Sequence, residues 1–187
     1  MNTPYHEFLE DIARANFIII GEEHSANGNR RIMRDNARLI VEHLTDMGKK
    51  VYFGIEHLPL GKSPEEILDE LNKKKEIHRY EDYSCLYDAA ANANQSGGLV
   101  FSFGGKNSNG PIKDIINRMR GKSVCALFVG DDHLKTSVGI LGYFCKNEGS
   151  VLIRQRIDLN SPVICREPDY LKIKNYLIMG ALCPIFQ

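Results

Sequence analysis

The sequence predicts an α/β fold: an open parallel or mixed sheet with helices on both faces and a functional site at the C-terminal ends of the strands. Three observations carry this expectation. Apolar runs too short for helices alternate with segments of helical period, the pattern of parallel strands covered by crossover helices. At 187 residues, 43% hydrophobic and 26% charged, the chain is sized and composed for one core, so residues 1–187 are read as a single α/β domain. Two strand candidates also run into matching junctions, FIIIGEEH at Phe17–His24 and LFVGDDH at Leu127–His133.

Strands are expected at Asn16–Gly21, Val51–Glu56, Leu99–Phe103, Ser123–Val129 and Ser150–Ile157. After the first, Met33, Ala37, Ile40, Val41, Leu44 and Met47 recur on one helical face, and Gly48 follows where a C-cap glycine belongs. The stretch Ser63-Pro64-Glu65-Glu66 reads as a capping box with proline at the first helical position, opening a second helix that runs into Lys73, Lys74 and Lys75. Cys85–Asn94 reads as helical too, its alanines closely packed. Ile112, Ile115, Ile116 and Met119 mark a further helix between Gly110-Pro111 and Gly121, and Leu134, Val138 and Leu141 another, loosened by Gly139 and Gly142. The order is β-α-β-α-α-β-α-β-α-β, and right-handed crossovers then give the open sheet. The apolar tail Tyr176–Phe186 is expected either to complete the core or to form an interface.

Composition excludes several function classes. The formal charge is zero, with 24 basic and 24 acidic side chains, which argues against nucleic acid as a partner because phosphate binding draws on a clustered excess of Lys and Arg. The lysine triplet reads as a solvated helix end. Cys85, Cys125, Cys145, Cys165 and Cys183 form no CxxC pair, so neither a disulfide framework nor a thiolate zinc knuckle is indicated. Cys125 reads as a small core residue, and a reducing compartment fits. The N-terminal stretch Met1–Asn16 carries charge throughout, and no segment reaches the roughly 18 apolar residues of a membrane span. The chain is therefore expected to be soluble and cytoplasmic, with a secreted effector as the alternative. GGKN at Gly104–Asn107 lacks the earlier glycine and the Ser/Thr of a phosphate-binding loop, no GxGxxG follows a strand, and no GxSxG elbow occurs.

In open α/β sheets, ligands bind beyond the carboxyl ends of the strands. Both junctions fall there, as do Glu56 and His57 and the glycine-rich Gly104–Gly110. Three strand ends thus converge Glu22, Glu23 and His24; Glu56 and His57; and Asp131, Asp132 and His133. Imidazole nitrogens and carboxylate oxygens suit a divalent cation such as Mn, Co, Zn or Fe, with His24, His133 and Glu56 as ligands; the metal would lower the pKa of its water and leave a carboxylate as general base. The same residues work without metal, a histidine oriented by a glutamate taking a proton from water directly. Plainer readings stand beside these. An acid after a strand often caps the next helix, so Asp131 or Asp132 can be only that, and His57 reads equally as a loop residue. His6, His43 and His78 read as surface residues. Arg30, Arg34 and Arg38 are spaced i, i+4, i+8 on the helix after GEEH. Arg34 neighbours the apolar stripe and is placed to pair with a carboxylate or grip an anionic substrate group, while Arg30 and Arg38 form a solvated face. The glycine before each acid pair is expected to let the backbone turn sharply and approach a ligand.

GEEH at Gly21–His24, the arginine-bearing helix, the strand ending in Glu56 and GDDH at Gly130–His133 resemble the pattern shared by the Tiki/TraB proteins, the ChaN-like haem-binding proteins and the erythromycin esterases. The match spans about residues 16 to 135 and carries Glu22, His24, Glu56 and His133, with Arg34 on the first helix. It implies an α/β core whose site is formed by the two GxxH motifs. Members include metal-dependent peptidases, hydrolases of macrolide esters and haem binders, and related domains occur in bacterial toxins. The expectation is a hydrolase, metal-assisted, that cleaves an ester or amide bond of a small-molecule or peptide substrate. Glu22, His24, Glu56 and His133 would be catalytic and Arg34 substrate-binding. The alternatives are a haem- or iron-binding module without turnover, in which Tyr52, Tyr83 or Tyr87 could add a ligand, and a toxin- or effector-like domain acting on a host macromolecule.

Overall fold

Strand β1 (Phe17–Glu22) is the central strand of the sheet, and every residue of FIIIGE is buried, as expected of a parallel strand covered on both faces. The computed structural model describes residues 4–23, 30–56, 58–77, 83–104, 114, 117, 124–134, 149–157, 163–170 and 173–182. Helix α1 (Pro4–Arg14) precedes β1. It is followed by α2 (Arg30–Asp46), β2 (Val51–Ile55), α3 (Pro64–Ile77), α4 (Tyr83–Gln95), β3 (Leu99–Ser102), β4 (Val124–Gly130), a 3-10 turn (Asp131–Leu134), β5 (Ser150–Gln155), β6 (Ile164–Tyr170) and β7 (Ile173–Ile178). The strands form one seven-stranded open sheet in the order β3-β2-β4-β1-β5-β7-β6. Among the described residues, all pairings are parallel except β6 with β7.

The α/β fold with a mixed sheet is therefore as the sequence predicts, and the five expected strands are present with ends shifted by one or two residues. The capping box is reciprocal: the Ser63 N–H donates to Glu66 Oε2 at 2.7 Å, and the Glu66 N–H donates to Ser63 Oγ at 3.2 Å. Gly48 ends α2 with φ of 73°, and the Lys49 N–H returns to the Leu44 carbonyl at 3.1 Å. Two features go beyond the expectation. Helix α1 buries Phe8 and Ile12, and the hairpin β6–β7 closes the far side of the sheet. Tyr176 joins these two. Its hydroxyl donates to Asp11 Oδ2 at 2.7 Å, Arg166 reaches the same oxygen at 3.1 Å, and Phe8 packs edge-on at 5.0 Å between ring centres. Burial and the Asp11 hydrogen bond raise the Tyr176 hydroxyl above its ordinary pKa. The apolar tail completes the core as far as it is described, with Tyr176, Ile178 and Leu182 buried.

One face of the sheet, through Ile18, Ile20, Phe53, Phe128 and Ile153, packs on residues of α1, α2, α3 and α4. The other face holds Phe17, Ile19, Cys125, Leu127, Val129 and Leu152, with Phe103 and Leu134. The helices expected over 112–119 and 134–141 lie outside the described residues, apart from Asp114 and Asn117, which are helical, and Leu134, which ends the 3-10 turn. Among the described residues no helix is long and apolar enough to cross a membrane. His43, expected at the surface, is half-buried on α2, and that burial lowers its pKa.

Two substitutions test this packing. A Cβ at Gly98 would overlap the backbone carbonyl of Val51, so Gly98→Ala must push β3 away from β2. It is expected to lower unfolding stability by about 1–3 kcal/mol in a guanidinium titration. Burial raises the Cys125 thiol from 9.0 to about 12. The folded state holds that proton after the unfolded chain has lost it, so stability falls as pH rises from 9.0 towards 12. Cys125→Ala is expected to flatten that part of the alkaline stability profile, and native Cys125 to resist thiol reagents that label it in denaturant.

Candidate functional site

Register decides which groups meet. Glu22, the last residue of β1, pairs with Gly130, the last residue of β4, so the two GxxH motifs leave the sheet side by side, one strand spacing of about 4.8 Å apart. The Glu56 N–H, just past β2, donates to the Phe128 carbonyl at 3.1 Å, and its Oε2 accepts the Gly130 N–H at 2.7 Å. Glu56 thereby closes over the first residue of GDDH. The three strand ends β2, β4 and β1 are consecutive in the sheet, at the carboxyl edge where α/β ligand sites form.

Glu22 falls on the α2 side of β1, in step with Ile18 and Ile20, and has no exposure to solvent. Arg34 of α2 lies beside Met33 and Ala37 on the helix's buried stripe and is 1% exposed. Its Nε donates to Glu22 Oε1 at 2.9 Å. The guanidinium carbon sits 4.3 Å from the ring centre of Tyr83, the first residue of α4, and Lys74 of α3 reaches 5.3 Å from the same ring. The predicted basic face divides accordingly. Arg34 is internal, Arg30 is half-buried at the start of α2, and Arg38 is tied along its own helix to Asp35 at 2.8 Å and to Glu42.

The second motif carries its own arginine. Asp131 is buried at the start of the 3-10 turn, and Arg154 Nε of β5 stands 3.6 Å from its Oδ1. Gly21 has a packing role in place of the expected sharp turn: it continues β1 as regular strand, and an added Cβ would overlap Leu134 and meet Asp131 Oδ1 at 3.3 Å. The missing side chain lets the turn of one motif fold over the other. His133 lies in that turn by its backbone, while His24 and His57 lie outside the described residues. So does Gly105–Gly110 of the glycine-rich stretch. Among the described residues no group of three or more His, Cys, Asp or Glu is arranged to hold a metal ion.

Three residues of this edge carried no motif. Arg154, Gln155 and Asn36 were each invisible as site residues because their partners are distant in the chain. Gln155, buried at the end of β5, donates to the Gly21 carbonyl at 2.9 Å and the Met33 carbonyl at 3.3 Å, and accepts from Asn36 Nδ2 at 3.0 Å.

No protein-family profile matches the chain, and no curated protein sequence matches it. Among solved structures, the type III effector HopBA1 shares the fold, with a TM-score of 0.60 over 96% of this chain and 94% of that one at 13% identity. ChaN of Campylobacter jejuni, solved with cofacially bound haem, aligns with a TM-score of 0.47 over 93% of this chain and 91% of that one, also at 13% identity.

The ion pair yields a double-mutant prediction. Removing one partner strands a charge in the interior, so Arg34→Met is expected to lower stability by about 3–5 kcal/mol. The double variant Glu22→Leu with Arg34→Met is expected to lose less than the sum of the two single changes, as read from urea unfolding midpoints.

Proposed function

We propose that the carboxyl edge of β1, β4 and β2 is a hydrolytic site that cleaves an ester or amide bond in a small-molecule or peptide substrate. The observation that supports this reading best is the pairing of Glu22 with Gly130, reinforced by the hydrogen bond from the Gly130 N–H to Glu56. Two histidine-bearing motifs and a third carboxylate thereby leave adjacent strand ends. In this reading His24 or His133 takes a proton from water as its oxygen attacks the acyl carbon, and the same imidazole returns the proton to the departing alcohol or amine. Glu22, fixed by Arg34, and Glu56, fixed on Gly130, orient the imidazoles and the water. Arg34 itself is buried against Glu22, so its influence on substrate passes through that carboxylate.

A divalent cation, if bound, would be held by His24, His133 and Glu56, and would supply an acidified water and a Lewis acid for the carbonyl. The GEEH and GDDH motifs resemble a pattern that the Tiki/TraB proteins and erythromycin esterases share with the ChaN-like haem binders, so the hydrolase reading rests on the adjacent strand ends, and a haem- or iron-binding module without turnover is its alternative. A second reading, an effector domain acting on a host macromolecule, draws on the near end-to-end likeness of fold to HopBA1, itself a type III effector.

The test is a panel of nitrophenyl esters and aminoacyl anilides, assayed alone and with Mn, Co, Zn or Fe. Hydrolysis is expected, with kcat/KM reduced about 100-fold or more in His24→Ala and in His133→Ala at unchanged unfolding midpoints. Activity retained in both variants would exclude the reading. Turnover that appears only with added metal, and metal that co-purifies with the wild type and is lost in the double histidine variant, would assign the cation its place.

A further inference from the structure

The peptide group that leads into Glu22 begins with the Gly21 carbonyl, and the one that leads into Arg34 begins with the Met33 carbonyl. A single side-chain amide holds both: Gln155 Nε2 donates to Gly21 O at 2.9 Å and to Met33 O at 3.3 Å. Backbone pairing of β1 with β5 ends at Ile20 and Ile153. The Gln155 side chain therefore extends the ladder one step past the last backbone pair and adds α2 to it. Its oxygen accepts from Asn36 Nδ2 at 3.0 Å, and Asn36 also donates to the Gly180 carbonyl at 2.9 Å and accepts from the Leu182 N–H at 2.8 Å. Gln155 and Asn36 are at most 1% exposed. Rotating either amide would strand polar groups away from water, so the network holds one arrangement.

We propose that Gln155 is a positioning residue of the site. It fixes the spacing between the end of β1 and the first turns of α2, so that Arg34 Nε stays on Glu22 Oε1, and Asn36 couples that spacing to the C-terminal segment at Gly180–Leu182. The effect on turnover rests on the hydrolase reading; the effect on the ion pair does not.

The readout is the Arg34 Nε–H, followed by nitrogen-15 NMR as it exchanges with solvent. Gln155→Met keeps the length of the side chain and removes its amide. Under conditions where exchange is independent of urea and so runs through local opening, the Arg34 Nε–H of this variant is expected to exchange about tenfold faster or more, whereas Gly98→Ala, which loosens the opposite edge of the sheet, is expected to change the rate by less than about threefold. Unchanged protection in a folded Gln155→Met overturns the proposal. Should that variant fail to fold, the wild type decides. The Gln155 side-chain N–H and the Arg34 Nε–H are expected to show the same urea dependence of exchange, and Arg34 opening while Gln155 stays protected refutes the coupling. With an active wild type, Gln155→Met is expected to lose kcat more than KM, and full kcat with protection lost overturns the catalytic part. Lost protection alongside a wild type that hydrolyses nothing leaves the positioning intact and sinks the hydrolase reading instead.

Discussion

A carboxylate with no exposure to solvent stands at the end of the central strand, and much of the surrounding structure is organised by the need to neutralise it. An unpaired ion at that depth costs several kcal/mol even after relaxation, a large share of what a domain of this size has in hand. The requirement constrains α2, which must present Arg34 within hydrogen-bond reach of Glu22. It also constrains α4, whose first residue lays Tyr83 against the guanidinium. The contacts that keep the fold together at this point are the contacts that shape the candidate site. Changes to Glu22 or Arg34 will therefore register in stability.

The two motifs repeat one arrangement with different suppliers. The first acid of GEEH, Glu22, takes its arginine from α2; the first acid of GDDH, Asp131, stands beside Arg154 of β5. Alternation along β5 sends Gln155 to the α2 side and Arg154 to the other, so the two arginines approach the strand ends from opposite faces of the sheet. Gly21 eases the arrangement, since a Cβ there would press on the tip of Leu134 and crowd Asp131 Oδ1.

How much of this was legible in the sequence depended on the range of the signal. Strands β1 to β5 and helix α2 announce themselves through local apolar period, and Ser63 to Glu66 through a cap that closes within four residues. Arg34 could be singled out because it adjoins the stripe of Met33 and Ala37. Helix α1 was legible but unread: Tyr5, Phe8, Leu9 and Ile12 recur at i, i+3, i+4, i+7. The strand β6 reads ICREPDY, charged and interrupted by proline, a pattern tolerable only at a sheet edge and without an apolar signature of its own. Gln155 and Asn36 were beyond reach, since neutral amides carry no motif and their meeting depends on a register fixed far away in the chain. The histidines show the complementary limit. Sequence names His24 and His133 readily, yet what they do depends on side-chain geometry that spacing alone does not supply.

The place of β1 also sets the order in which the protein can assemble. In synthesis its neighbours in the sheet, β4 and β5, follow it about a hundred residues later. At 5–20 residues per second, roughly 5–20 s pass during which FIIIGE has neither strand partner available. Until then this fully buried strand can only rest against α1 and α2, and its pairing edges stay open to any other extended chain. Synthesis in the cell thus confronts this fold with a waiting period that refolding in a test tube never imposes. Its yield will depend on what shields β1 meanwhile.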